Sequence, residues 1–282
     1  MRILNLGAGV QSTTVYLLAL DGKIESFDYA IFADTQEEPA AVYTHLEWLQ
    51  SLKGPKILIR TVGKLGDDLA RGVNSTGQRF ASIPAFTAPD HDKRSVLTGC
   101  DKGQVQRQCT REYKIEVVEK TIRKEILKVK HRGRVPKGIK VTQVFGISAD
   151  ERVRANRIRK RLRDVYWAAD PDFPLLTLGW VRGKCKSWLE GRVPHETPRS
   201  ACVFCPYKSN AEWRHLRDGD KDGWRRAVEI DNALRIEGNI VNRGLDQSLY
   251  IHRDCIPLDM VDLGKETMGF HKFHCDEGMC GV

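Results

Sequence analysis

The chain has 282 residues and a formal net charge of +9, from 46 lysines and arginines against 37 aspartates and glutamates. Its 41% hydrophobic and 29% charged residues are typical of a folded globular protein and exclude a disordered chain. No apolar run reaches the ~20 residues that a transmembrane helix needs. The first residues also lack the apolar stretch of a secretory signal. We therefore expect a cytoplasmic protein that does not bind membranes.

Strand-like and helix-like segments alternate along the first half of the chain. Apolar runs predict strands at 2–7, 29–33, 56–62 and 141–147, and helical spacing predicts helices at 10–20, 40–52 and 111–129. The Gly-, Ser- and Pro-rich residues 63–110 predict a long loop. This alternation predicts an α/β fold with a Rossmann-like parallel sheet.

The composition changes from about residue 185, where Trp, Cys and Pro become dense. We place a boundary near residue 198. It separates an α/β domain over residues 1–198 from a mostly helical, Cys-rich C-terminal segment over residues 199–282.

A Gly-rich turn connects the first predicted strand to the first predicted helix, and it consists of Gly7, Ala8, Gly9, Val10, Gln11 and Ser12. Small residues let backbone N–H groups approach a phosphate, and the helix N-terminus favours negative charge. The turn lacks the Gly-Lys-Ser/Thr of a Walker A loop and the spacing of G-x-G-x-x-G. On these residues alone, a phosphate cradle and a plain tight turn are both open interpretations.

The turn resembles the PP-loop, Ser-Gly-Gly-x-Asp-Ser, of N-type ATP pyrophosphatases, and in particular the phosphoadenosine phosphosulfate reductase-like group. Gly7 replaces the first serine, and Gln11 replaces the aspartate, as in the sulfonucleotide-reductase branch. Residues 32–35, Phe-Ala-Asp-Thr, are similar to the family's Asp-Thr-Gly segment. Residues 146–154 resemble its Gly-x-Arg-x-x-Glu-Ser…Arg segment. All three segments end predicted parallel strands, and open α/β sheets bind ligands at that edge.

The resemblance implies an adenine nucleotide alpha hydrolase-like fold and ATP, or a related adenine nucleotide, as the ligand. The phosphates would lie on residues 7–12, and the remaining binding residues would be Asp34, Thr35, Gly146, Ser148 and Arg154. Asp34 or Glu151 would hold Mg²⁺ in place of the missing loop carboxylate. These two carboxylates are the first candidate catalytic residues.

Eight cysteines in a protein expected in a reducing compartment favour a metal site over disulfides. Cys202 and Cys205 have the C-x-x-C spacing of zinc and iron–sulfur ligands, with a proline following. Cys109 precedes a predicted helix among basic residues, which would lower the pKa of its thiol. A [4Fe–4S] cluster, a structural zinc ion and buried unligated thiols are three open interpretations.

Several relatives in the resembled group carry one distant cysteine and a C-x-x-C around a [4Fe–4S] cluster. The implied ligand set here is Cys109, Cys202, Cys205 and Cys280. Cys280 is preferred as the fourth ligand because the family's tails look like Cys-Glu-Gly-x-Cys-Gly, with Cys275 and Cys100 as alternatives. The same Cys280 also resembles the catalytic cysteine in the Glu-Cys-Gly-x-His tail of sulfonucleotide reductases, although the trailing histidine is absent.

Two stretches of the chain are strongly basic. Residues 152–163 contain seven arginines and lysines and no acidic residue, and residues 128–137 add a second basic stretch. A solvated surface helix explains the first stretch, and so does contact with a nucleic-acid or nucleotide substrate.

Three functions follow from these observations. The first is an ATP-dependent, adenylating and pyrophosphate-releasing enzyme that modifies a nucleotide or nucleic-acid base, with sulfur transfer as one outcome. The second is a sulfonucleotide reductase in which Cys280 attacks the sulfate. The third is a nucleic-acid-binding module with a zinc-stapled Cys site.

Overall fold

A computed structural model describes residues 1–77, 82–89, 103–236 and 247–265. The strands are β1 (Arg2–Asn5), β2 (Tyr29–Ala33), β3 (Lys56–Arg60), β4 (Phe86–Pro89), β5 (Gly103–Gln104), β6 (Thr142–Phe145) and β7 (Gln247–Tyr250). The helices are α1 (Val10–Leu20), α2 (Ala40–Ser51), α3 (Leu65–Arg71), α4 (Glu116–Thr121), α5 (Arg152–Arg163), α6 (Pro174–Thr177), α7 (Arg182–Leu189), α8 (Asn210–Gly219) and α9 (Lys221–Ala233). Two π-helical turns, Arg111–Ile115 and Ile122–Ile126, extend α4 in both directions.

The predicted parallel sheet is confirmed as an α/β architecture with four strands in the order β3-β2-β1-β6. All three pairings between neighbouring strands are parallel. The chain moves outward from β1 to β3 and then returns to the other side of β1 to form β6. The carboxyl ends of β1 and β6 therefore border a topological switch point, where sheets of this kind open a ligand crevice.

Side chains alternate between the two faces of each strand, so the two neighbours Ile3 and Leu4 lie in different cores. The core around Ile3 contains apolar residues of α4 and α5. The core around Leu4 contains residues of α1, α2 and α7. Helices thus cover both faces of the sheet, which explains why its strands read as continuous apolar runs.

A third core joins residues from both sides of residue 198, including Leu65 of α3, Tyr113, Phe204, Trp213 of α8 and Ile230 of α9. Beside it lies a three-stranded antiparallel sheet in the order β5-β4-β7. The prediction of a long loop over 63–110 is wrong at α3, β4 and β5. The C-terminal segment, predicted to be mostly helical, also contains a strand, β7. This strand forms by pairing with β4, which lies within the predicted loop.

No helix within the described ranges combines the length and the apolar character needed to cross a lipid bilayer.

Candidate functional site

The Gly-rich turn after β1 brings its backbone N–H groups together at one point. The amides of Gly7 and Gly9 both donate to the Ser12 hydroxyl oxygen, at 3.2 and 3.3 Å. Between them, Ala8 has a φ of +54°, a left-handed conformation that non-glycine residues seldom adopt. Convergent amides at a helix N-terminus form a concave site that suits an anionic oxygen.

Gln11, which stands where the PP-loop has an aspartate, is held by three residues from two other segments. Its side-chain amide donates to Glu151 Oε2 at 2.7 Å and to Ser148 Oγ at 3.3 Å. Its side-chain oxygen accepts from Arg182 Nη1 at 2.6 Å. The first turn of α1 is thereby fixed against the segment after β6 and against the start of α7.

Gly146, directly after β6, packs against the same turn. A Cβ at this position would lie 2.7 Å from the Ser12 nitrogen and 2.8 Å from its Cα. These are backbone atoms that cannot rotate away, so only glycine allows this approach. The structure therefore brings together the predicted segments 7–12 and 146–154.

Arg154 and Glu151 form an ion pair within this site, and both side chains are almost fully buried. Among the described residues, the Nε and Nη2 atoms of Arg154 have no hydrogen-bond partner. Buried guanidinium N–H groups are costly to leave unpaired. They suit an anion with several acceptor oxygens, as the predicted role of Arg154 in phosphate binding requires.

Asp34 and Thr35 follow β2 on the other side of β1. Asp34 Oδ1 accepts from the Gln36 amide at 2.7 Å and from the Tyr43 hydroxyl at 3.0 Å. Burial, together with the Asp34 charge, raises the pKa of Tyr43 above its usual value, so this phenol stays protonated as a donor. Thr35 is buried, and its hydroxyl lies 3.1 Å from Cys202 Sγ.

Cys109, Cys202 and Cys205 line one cavity, which is partly open to solvent. Thr35, Arg107 and Lys114 line it as well. The C-x-x-C segment is fixed by a turn in which the Cys205 amide donates to the Cys202 carbonyl at 2.9 Å. Three of the four cysteines in the predicted ligand set therefore line the same cavity.

The cavity combines thiols, cationic side chains and a nearby carboxylate. Burial, with a further contribution from the Glu38 carboxylate, raises the pKa of the Cys202 thiol well above its usual value. A bare thiolate is disfavoured there, and a bound metal would supply the compensating charge. Arg107 and Lys114 would in turn favour an anionic thiolate-ligated cluster.

Within the described part of the chain, no three His, Cys, Asp or Glu side chains are grouped as the ligands of one metal ion. Cys280, the preferred fourth ligand and candidate nucleophile, lies outside the described residues, as do Cys275 and Cys100. Of the predicted metal set, the structure therefore describes three thiols around one cavity.

Lys114 is a site residue that the sequence analysis missed. It lines the cysteine cavity and also a second, small cavity beside Gly7 and Ala33 at the ends of β1 and β2. Its ammonium lies 3.2 Å from Glu38 Oε1, and both side chains are buried. A single lysine in a helix has no sequence pattern that would identify this position.

A second missed feature lies behind the Gly-rich turn. Thr13 of α1 hydrogen-bonds to His45 Nε2 at 2.8 Å, and His45 Nδ1 is 2.8 Å from His195 Nε2. Burial, and then repulsion by His195, lowers the pKa of His45 from 6.5 to about 4. His45 is therefore neutral near pH 7 and connects α1 to α2 and to the segment that precedes the C-x-x-C.

Comparisons of the chain with protein-family models, with curated proteins and with solved structures found no match.

Proposed function

We propose that this protein is an ATP-dependent, pyrophosphate-releasing modification enzyme of the PP-loop type, similar to the phosphoadenosine phosphosulfate reductase-like group. The observation that carries the proposal is the position of Lys114. It lines both the cavity at the Gly-rich turn and the cavity of Cys109, Cys202 and Cys205. A nucleotide site and a cysteine site that adjoin in this way suit activation of a substrate beside a sulfur or redox centre.

A Rossmann-like sheet of the adenine nucleotide alpha hydrolase type is part of this proposal. The strand order β3-β2-β1-β6 supports it, because the crevice between β1 and β6 is where such a sheet binds its ligand. ATP would place its phosphates on residues 7–12, next to Arg154. Its adenosine would lie along the strand ends at Asp34, Thr35, Gly146 and Ser148.

In the proposed reaction, a substrate oxygen attacks the α-phosphorus of ATP. The new O–P bond forms as the bond to the bridging oxygen breaks, and pyrophosphate leaves while the substrate proton passes to solvent. A sulfur or nitrogen nucleophile then attacks the activated carbon, and AMP leaves with the oxygen. Catalysis of this kind depends on positioning and on neutralising charge.

Several residues of the chain have separate roles in this proposed reaction. The amides of Gly7 and Gly9 donate to the Ser12 hydroxyl in the structure, and a phosphate oxygen would replace that hydroxyl as their acceptor, with Arg154 beside it. Gln11 keeps the turn attached to Glu151 and Arg182. Mg²⁺ would be held by Asp34 or Glu151. Lys114 neutralises negative charge between the two cavities.

We further propose that Cys109, Cys202 and Cys205 hold a [4Fe–4S] cluster, with Cys280 as fourth ligand. A cluster with three protein ligands leaves one iron open to an exogenous sulfide, which favours sulfur transfer, whereas four ligands make it structural. Zinc is the competing metal.

Anaerobic purification of the wild type and of Cys202→Ala tests the metal. We expect the wild type to be brown and to contain about four irons per chain, and the variant to lose both colour and iron. Cys185→Ala is the control, because Cys185 is a buried thiol that does not line the cavity. A colourless wild type with stoichiometric zinc would contradict the cluster.

Release of labelled pyrophosphate from ATP tests the enzyme class. Gly9→Asp adds bulk and negative charge to the turn, so it should abolish ATP binding in equilibrium dialysis. Undiminished ATP binding by this variant would refute the assignment of the turn.

A sulfonucleotide reductase is the second candidate, and the observation that favours it is Gln11. Its neutral amide stands where a carboxylate would hold Mg²⁺ for ATP cleavage. In that case the Cys280 thiolate would attack the sulfate sulfur, and the adenosine phosphate would leave with the bridging oxygen. An external thiol would then attack the Cys280 sulfur, releasing sulfite and forming a disulfide, and no pyrophosphate would form. Thiol-dependent sulfite release without pyrophosphate release would identify this activity.

A further inference from the structure

The exposed face of α5 is a continuous basic surface. Its buried side is formed by Arg154, Ala155, Ile158 and Leu162, which leaves the other positions toward solvent. Arg152, Lys160 and Arg163 are exposed on that outer side. Because α5 has 12 residues, the surface is about 18 Å long. No acidic residue interrupts it within the helix.

A second basic stretch, residues 128–140, lies directly beyond the C-terminal end of α5. The Val135 amide donates to the Tyr166 hydroxyl at 2.7 Å, and Lys140 Nζ donates to the Tyr166 carbonyl at 2.7 Å. These contacts attach the stretch to the residues that follow α5. Its exposed cations include Arg132, Arg134 and Lys137, and it contains no acidic residue.

The other end of this surface begins at the Gly-rich turn. Glu151, just before α5, and Arg182, at the start of α7, both bind Gln11. The two segments are also joined to each other, because the Arg182 amide donates to Asp150 and the Ala149 amide donates to the Trp180 carbonyl. The cationic surface therefore leads from solvent to the proposed reaction centre.

Exposed apolar side chains lie on these same joined segments. Val153 is 65% exposed, Leu178 is 42% exposed and Val181 is 46% exposed. At the far end, Tyr166 is 55% exposed between the two basic stretches. Cations that follow a backbone, combined with exposed apolar and aromatic groups, are the components of a single-strand nucleic-acid site.

We propose that the face formed by α5 and residues 128–140 binds the phosphate backbone of a single-stranded nucleic acid. The strand would deliver one nucleotide to the Gly-rich turn past Val153 and Val181. This inference rests on the proposed function, since it names the substrate class of the same site. Unpaired bases can contact the apolar groups, whereas the stacked bases of a duplex would not reach them.

The test measures binding of labelled single-stranded RNA and DNA oligonucleotides of about 20 nucleotides across a range of salt concentrations. The test variant is Lys137→Gln with Lys160→Gln, one exposed lysine from each basic stretch. The control is Lys53→Gln with Lys56→Gln. These two lysines are also exposed, but they lie just before and at the start of β3, the outer strand on the other side of the sheet from β6 and residues 128–140.

We expect the wild type to bind with steep salt dependence. The affinity of the test variant should be about tenfold lower than that of the wild type. The slope of log K against log salt concentration should become roughly 1.4 less steep, since two phosphate contacts are removed. The control should stay within about twofold of the wild type. Tighter binding of RNA or of DNA would identify which polymer is the substrate.

Three results would overturn the proposal: no binding of either polymer at low salt, an equal loss in both variants, or equally tight binding of anionic phosphatidylserine vesicles. ATP binding is measured on the same samples. If ATP binds and the oligonucleotides do not, the substrate class is wrong and the proposed enzyme class stands. If the oligonucleotides bind and ATP does not, the proposed enzyme class is wrong and the nucleic-acid-binding surface stands.

Discussion

The Gly-rich turn and the cysteine cavity are built in opposite ways. The turn is formed by neighbours in sequence, with Gly7, Gly9 and Ser12 bonded to one another. The cavity exists only through contacts between distant parts of the chain, such as Thr35 with Cys202 across 167 residues. The geometry of the turn therefore depends on local backbone conformation, whereas the geometry of the cavity depends on the whole fold.

This difference has a consequence for how each region responds to change. Local structure is disturbed mainly by substitutions that alter its backbone or fill its close contacts. A cavity assembled from distant segments also responds to any loss of the buried interactions that hold those segments together. Lys114 belongs to both regions, so it gives the strongest test of whether they act as one site.

Lys114→Gln should have the largest effect. It leaves the Glu38 carboxylate buried without its cation, which costs roughly 3–5 kcal/mol of stability. If Lys114 neutralises charge between the cavities, pyrophosphate release should also slow by about 10²–10³-fold. Chemical denaturation and steady-state kinetics measure the two effects.

The double variant Lys114→Gln with Glu38→Gln separates a structural role from a functional one. Removing both charges should restore most of the lost stability, because no ion is left buried alone. It should not restore turnover. Recovery of turnover together with stability would mean that Lys114 only holds the fold.

Acid should destabilise the protein at two buried histidines whose pKa is lowered by burial. His45 lies behind the Gly-rich turn, and His252 Nε2 lies 3.1 Å from Asn210 Oδ1, at the start of α8. For His45 the folded pKa is about 4, against 6.5 unfolded. The unfolded state thus binds more protons between these values, and stability falls as pH drops from 6.5 to 4, by up to roughly 3 kcal/mol.

Denaturation of His45→Gln and of His252→Gln at pH 7 and at pH 4.5 checks this. Each variant should lose less stability on acidification than the wild type does. If ATP reduces the acid sensitivity of the wild type and of His252→Gln but not that of His45→Gln, His45 is coupled to the nucleotide. An unchanged pH response in both variants would show that other groups cause the acid sensitivity.

Gly146→Ala should have an intermediate effect that is confined to the turn. The added Cβ would meet the Ser12 backbone at 2.7 Å, and overpacking of this kind costs about 1–3 kcal/mol. We expect ATP affinity to fall while iron content stays unchanged. Gly219→Ala is the control, because nothing lies within 4 Å of a Cβ there. A simultaneous loss of iron would mean that the two regions are not separable.

The parallel sheet was readable from the sequence because its strands are buried on both faces and appear as apolar runs. The segments α3, β4 and β5 were not readable. The strand β5 has two residues, and β4 pairs with β7 from the far end of the chain, so local patterns contain little of the information that forms this sheet. The structure of this antiparallel sheet depends on pairing between distant strands rather than on the strand propensity of each segment.

The candidate site divides in the same way. The Gly-rich turn and the cysteines were found because glycine clusters and C-x-x-C spacing are rare and carry specific chemistry. Lys114 and His45 were missed because their surroundings come from elsewhere. Lys114 meets Glu38 across 76 residues, and His45 meets His195 across 150. A common residue type acquires its function from burial, which only the fold reveals.

Ala8→Gly should have the smallest effect, and it tests whether the local backbone conformation of the Gly-rich turn is as the structure shows. Ala41, an exposed alanine in the first turn of α2, should lose up to about 1 kcal/mol on replacement by glycine. Ala8 has a φ of +54°, and the left-handed conformation costs an alanine roughly 1–2 kcal/mol that glycine does not incur. Relief of this strain offsets the entropy that glycine loses on folding. We therefore expect Ala8→Gly to match or slightly exceed the wild type in stability by urea denaturation, whereas Ala41→Gly falls below it. ATP affinity should change by less than about threefold, since the backbone N–H groups of the turn keep their positions. A loss of stability equal to that of Ala41→Gly would show that the turn is not held in the left-handed conformation in solution.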